Sequence, residues 1–169
     1  MAEKQPKFDP YGVLQALDRH RVNYVVIGAF ARVLQGTEEI THGIDVVPST
    51  RTENLRRLDE AVREVGGRPA GRGLGQLETM LAEHPVIRLA TQYGEMKIVP
   101  TPAGTRGYDD LRRGANREPL GRGVRPAVAS IGDLARMSTA LGTDRYLDQV
   151  RQLRRLTALE RSRGRAIER

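Results

Sequence analysis

The sequence contains no cysteine and no tryptophan, and only five tyrosines and two phenylalanines. The missing cysteines exclude disulfides, thiolate metal sites and a cysteine nucleophile. No run reaches the roughly eighteen apolar residues that a membrane-crossing helix requires. The opening residues, Met-Ala-Glu-Lys-Gln-Pro-Lys, lack the apolar centre of a secretory signal, so a soluble cytoplasmic protein is the expectation. With aromatics at 4% there is little on which the bases of a single strand could stack. Lysine is scarce too: Lys4, Lys7 and Lys97 are the only ones, and every other basic residue is arginine.

What is present is enough chain for one domain with a real core, 169 residues, and an excess of positive charge. The formal balance is +7, from 28 basic and 21 acidic residues. Such a surface recruits polyanions such as RNA or DNA, and arginine is the preferred reader of phosphate. An arginine-heavy, glycine-rich composition also arises from genomic base composition with no partner involved. Between Arg145 and Arg169 there are eight arginines and three acids. Arg145, Arg151, Arg154 and Arg155 are therefore the candidates for contact with nucleic acid or a protein partner, against a plain solvated helix.

The apolar pattern is organised around residues 24–47. Tyr24 to Ile27 and Ile44 to Val47 are β-branched runs short enough to be buried strands, joined by Gly28-Ala29 and a short helix reaching about Gln35. Glycine allows close backbone approach where the first strand ends, and the free N–H groups of the following helix would face a phosphate above Gly28. The alternative is that Gly28 and Ala29 only permit tight strand-to-helix packing. Asp45 interrupts the second run with a carboxylate. Alternation points His42 away from Asp45. Glu38 and Glu39 precede the strand and are conceivable metal ligands, although loop glutamates usually face water.

Asp9-Pro10 should open a helix ending near His20. Thr50 or Thr52 should cap another reaching Val65, with Leu55, Leu58, Val62 and Val65 on one stripe. Residues 66–75 lack a phosphate-loop ending and read as a surface loop, or as an arginine-bearing flap over a bound nucleotide. A short helix over residues 76–82 precedes two strands, 86–90 and 95–99, in a hairpin-like arrangement. In the second of these, Met96 and Ile98 share one face and Glu95, Lys97 and Val99 the other. A helical turn at Tyr108, a strand over 123–129, a helix capped by Ser130 and a final helix from Thr143 or Asp144 complete the chain. Leu147, Val150, Leu153 and Leu156 of the final helix are expected to point inward. The expected class is α/β (α+β): a small mixed sheet flanked by helices, with a flexible N-terminus over 1–9, a core over 10–129, and C-terminal helices with a basic tail over 130–169.

Gly28-Ala29 after the first strand and Thr41-His42-Gly43-Ile44-Asp45-Val46 along the second resemble the signatures of the DNA polymerase β superfamily of nucleotidyltransferases. The closer likeness is to the small bacterial abortive-infection and type IV toxin–antitoxin toxins. The stretches 93–100, 107–111 and 128–137 extend it over roughly residues 10–155. The resemblance implies a nucleotidyltransferase fold and, in active members, two magnesium ions held by three carboxylates. Gly43 stands where the family has its first aspartate, Lys97 where it has its third, and Ser138 where many relatives carry lysine. Asp45 is the one catalytic carboxylate left, and the family's aspartate near Asp144 is also matched.

One carboxylate does not hold two magnesium ions beside a triphosphate, and an ammonium group cannot ligate a cation. The resemblance therefore implies a degenerate transferase with no bound metal expected. Gly28, Ala29, Thr41 and Lys97 are its expected nucleotide or phosphate contacts. Lys97 would either close on Asp45 as a salt bridge or bind phosphate directly. The implied role is a nucleotide-, RNA- or partner-binding module. The alternatives are an active toxin-like enzyme that modifies tRNA ends with magnesium, using Asp45 and substitute ligands, and an oligomer-forming structural protein without a small ligand.

Overall fold

The computed structural model of the protein describes residues 7–167. Asp9 caps the first helix, α1 (Pro10–Arg19), by accepting a hydrogen bond from the Tyr11 N–H at 3.0 Å, and proline at the first helical position costs no hydrogen bond there. Its Val13, Leu14, Ala16 and Leu17 are buried. Phe8, in the segment expected to be loose, packs edge-on against Phe30, and Asp9 N–H reaches the carbonyl of Tyr93. Residues 1–6 of that expected flexible segment lie outside the described residues.

The sheet grows from β1 (Tyr24–Ile27), whose four residues are all buried, as a strand flanked on both sides must be. Helix α2 (Gly28–Gln35) turns back, and β2 (Gly43–Pro48) runs antiparallel to β1. Helix α3 (Thr52–Glu64) buries Leu55, Leu58 and Val62, as the apolar stripe requires. Its cap differs from expectation. Thr50 is exposed, Arg51 holds the capping position without a side-chain bond, and the Thr52 hydroxyl donates instead to Glu78 at 2.9 Å.

The glycine-rich stretch is partly ordered into the sheet. Arg68–Pro69 form a short edge strand, β3, paired antiparallel with Ala90 and Leu89. Helix α4 (Leu77–Glu83) leads to β4 (Ile87–Thr91) and β5 (Gly94–Ile98), an antiparallel hairpin that matches the expected pair of strands. Met96 and Ile98 are buried, whereas Glu95 is exposed and Lys97 partly so. Val99, expected on the Lys97 side, lies past the end of the strand and is buried, its N–H bonded to the Val46 carbonyl.

After α5 (Tyr108–Leu111), the strand expected over 123–129 is reduced to β7 (Ala127–Val128). It pairs with an unanticipated β6 (Asn116–Arg117) and runs parallel to β1. The full sheet order is β3-β4-β5-β2-β1-β7-β6, with β2 and β5 parallel. The Ser130 hydroxyl caps α6 (Ile131–Leu141) by accepting from Asp133 N–H at 3.0 Å. The long α7 (Asp144–Ile167) packs on α6 through the buried Val150 and Leu153. Leu147 is 42% exposed, against the expectation that it faces inward. The fold is thus a mixed α/β sheet flanked by helices, with a helical C-terminal end.

Candidate functional site

The site forms where β1 ends and β2 and β5 run side by side. Ile27 is the register partner of Asp45, and directly after it Gly28 takes a left-handed φ of +74°. A Cβ there would run into the Asp45 carboxylate, so glycine is required both by its dihedral and by its neighbour. In the parallel β2–β5 ladder, Asp45 pairs with Lys97, which places both side chains on the same side of the sheet. Lys97 Nζ lies 3.3 Å from Asp45 Oδ2, and the side chains are 31% and 27% exposed. Burial pushes the Asp45 carboxyl above its ordinary value, and the charges of Lys97, Arg32 and Arg88 only partly offset this.

Two residues earlier in the same ladder, Gly43 pairs with Glu95. A Cβ on Gly43 would collide with the Glu95 carbonyl oxygen. Position 43 therefore lacks a carboxylate and also lacks the space for one. The Thr41 hydroxyl is used locally, donating to the Gly43 carbonyl at 2.8 Å.

Ala29, Thr41, Asp45 and Lys97 line one cleft of about 530 Å³, with Gly28 set against Asp45 beside it. The four expected site residues other than Gly28 are thus brought together on its wall. His42 also borders the cleft. It precedes the strand, so strand alternation does not govern it. Arg68, from the segment 66–75 expected as a surface loop or an arginine-bearing flap, joins Arg88 and Glu95, neither of them a candidate from sequence, to complete the charged lining. The signal for Arg88 lies in its position between the buried Ile87 and Leu89, which turns it to the face of Lys97 once β4 and β5 pair.

The other candidates are placed elsewhere. Glu39 is gripped by Arg32, with Nε 2.9 Å from Oε2 and Nη2 2.9 Å from Oε1, and accepts from the Thr37 hydroxyl. Burial raises its pKa, but the bonds from Arg32 and Thr37 and the charge of Arg32 outweigh that and hold it below the ordinary value. It is committed to a structural ion pair, and Glu38 is exposed. Ser138 is buried and donates to Gln149 at 3.2 Å, joining α6 to α7 away from the cleft. Arg145, Arg151, Arg154 and Arg155 are exposed along α7 and do not line the cleft. Arg151 is paired with Asp148 at 3.4 Å.

A two-magnesium centre does not fit this donor set. Asp45 is held by an ammonium group, position 43 has no side chain, and Glu95 is the only other carboxylate on the lining. Among the described residues no three histidines, aspartates or glutamates are grouped so as to hold a metal ion. No helix among them is long and apolar enough to cross a membrane.

No family model matches the sequence, and no curated protein matches it. Solved structures do. The lincomycin-bound lincosamide antibiotic adenylyltransferase LnuA superposes with a TM-score of 0.60 at 13% identity, over 89% of this chain and 99% of that one. The antibiotic-resistance factor ANT(2'')-Ia in solution gives 0.54 at 16% identity, over 94% and 92%. Its crystal structure in complex with adenylyl-2''-tobramycin gives 0.50 at 16% identity, over 91% and 95%. The superposition over nearly the whole length of these structures gives this chain the nucleotidyltransferase fold.

Proposed function

We propose that this protein binds a nucleotide in the cleft beside the Gly28 turn and has lost two-metal nucleotidyl transfer. The observation that supports this reading is the Lys97–Asp45 ion pair, an ammonium group at the position that the superfamily resemblance assigns to a third carboxylate. A cleft of about 530 Å³ is in the size range of small-ligand pockets, roughly 300–1,000 Å³. The N–H groups at the start of α2 and the Lys97 ammonium group offer donors to phosphate, while Asp45 maintains the lysine's orientation; the Thr41 hydroxyl proton is already given to the Gly43 carbonyl. The arginines of α7 would form a separate face toward RNA or a protein partner.

The test is incubation of the purified protein with radiolabelled nucleoside triphosphates, magnesium or manganese, and a panel of acceptors. The panel contains a tRNA pool, tobramycin and lincomycin, the last two taken from the ligands of the structural neighbours. The expected outcome is saturable nucleotide binding with no transfer to any acceptor. Transfer that disappears in Asp45→Ala would establish an active enzyme instead. That competing reading is favoured by Glu95, which offers a second carboxylate beside Gly43.

A further inference from the structure

Strands β3, β4 and β5 lie side by side, and their register puts three cations on one face. Arg88 is the direct partner of Lys97 across the antiparallel β4–β5 pair. Like charges placed directly opposite on one face destabilise a sheet. Arg68 pairs with Ala90, so it is the diagonal neighbour of Arg88 on the next strand. With strands about 4.8 Å apart and Arg68 offset two residues, about 6.8 Å, along its strand, the row Lys97, Arg88, Arg68 spans about 12 Å of backbone, which these long side chains can close around a short phosphate chain. All three line the same cleft.

Among the described residues neither Arg68 nor Arg88 is engaged in an ion pair or a side-chain hydrogen bond, whereas eight other arginines of the chain form ion pairs or bond to backbone carbonyls, among them Arg32 with Glu39 and Arg136 with Asp110. The two acids of the lining do not neutralise the row: Asp45 is occupied by Lys97, and Glu95 stands alone against two guanidinium groups. A repulsive cross-strand pair with unmade bidentate contacts is relieved by an anion rich in oxygen.

We infer that the cleft is a metal-independent polyphosphate site, in which Lys97, Arg88 and Arg68 supply the positive charge that magnesium supplies in transferases of this fold. The inference rests on the nucleotide reading above and specifies how the phosphates are held. Magnesium coordinated to a polyphosphate occupies the oxygens the guanidinium forks need and adds charge of the same sign as the row, so it competes with binding.

The test is calorimetric titration of the full chain with inorganic tripolyphosphate and with ATP, each in EDTA and in excess magnesium. Both ligands should bind in EDTA, and magnesium should weaken binding. Arg88→Gln and Arg68→Gln, both exposed positions, should each weaken tripolyphosphate binding roughly tenfold, the loss of about one charge-assisted contact. Arg88→Lys should recover part of the loss, and circular dichroism melts confirm that each variant is folded. Binding that requires magnesium, or wild-type affinity in both glutamine variants, overturns the inference. If ATP binds only as its magnesium complex and ignores both variants, the nucleotide reading stands and this inference fails. If tripolyphosphate binds in EDTA and ATP binds no tighter, the polyphosphate site stands and the nucleotide reading fails.

Discussion

Replacing Gly43 by aspartate returns the first carboxylate of the superfamily pattern, yet it should destabilise the protein without restoring transfer. The added Cβ meets the Glu95 carbonyl oxygen and lies 2.8 Å from both the carbonyl carbon and the Cβ of Glu95. These atoms cannot swing aside as a flexible side-chain tip would. Glu95 is fixed by the β2–β5 register and by its N–H bond to the His42 carbonyl at 3.2 Å. Relief requires the two strands to part at this end. Overpacking of this kind costs about 1–3 kcal/mol, and loss of the terminal ladder bond adds about 0.5–1.5 kcal/mol. The sum is about 1.5–4.5 kcal/mol, which for a chain of this size lowers Tm by about 3–18 °C.

Gly43→Ala isolates the steric part, because a methyl group brings the clash without the charge. Its melting temperature by differential scanning calorimetry should fall nearly as far as that of Gly43→Asp. A Gly43→Ala protein melting within about 1 °C of the parent would refute the reasoning, since the strands would then accommodate a side chain freely. The Gly43→Asp/Lys97→Asp double variant carries the argument to function, and its incubation with magnesium and labelled nucleotide should yield no product.

Asp45→Asn should leave the protein at least as stable at pH 7. The folded carboxyl titrates above its ordinary value of 3.8, so its contribution is fully present below that value and is lost as pH rises through the folded value. Urea midpoints from pH 4 to 7 should fall less with pH in the variant, and a clear loss of stability at pH 7 would contradict this. Glu39→Ala should cost about 3 kcal/mol in urea unfolding, because it leaves Arg32, with an 11% exposed side chain, without its partner; a loss under about 1 kcal/mol would show the pair to be dispensable. Gly28→Ala should cost at least about 1–2 kcal/mol from its left-handed backbone alone. It should also move the Lys97 side-chain resonances by displacing Asp45, and unchanged resonances would sever the proposed link between the turn and the ion pair.

The local features of this fold were readable in the sequence and the pairings were not. Tyr24 to Ile27 is apolar at every position because the strand is covered on both sides, and the Asp9-Pro10 and Ser130 caps act within three residues of themselves. The Asp45–Lys97 bridge was reachable only as one of two alternatives, through resemblance, since the residues are 52 positions apart in the numbering and meet through a strand register that no local pattern specifies. The place of Arg68 on the sheet, rather than on a loop or flap, is illegible for the same reason: its strand is two residues long and exists by pairing with Ala90 and Leu89. Glu39, expected to face water and only conceivable as a ligand, is held instead by Arg32, a buried arginine on α2 whose pairing no local pattern marks. Thr52 lost its expected cap to a distant acceptor, Glu78.

The two departures at the site act together. Gly43 lets the β5 backbone close on β2, and that closure fixes the register that sets Lys97 opposite Asp45. A carboxylate at 43 would force the strands apart and add a negative charge near the lysine. The pair at 45 and 97 is neutral where three carboxylates would carry three negative charges. A ligand that arrives without a cation therefore finds a cleft whose remaining charge is set by Arg68, Arg88 and Glu95, and that balance favours an anion. Lys97→Met tests the coupling directly: it removes the partner that offsets the burial of Asp45, so the Asp45 carboxyl should move further up. Carbon-detected NMR titration of Asp45 reads this, and a carboxyl that titrates unchanged would show that Lys97 is not what holds its charge.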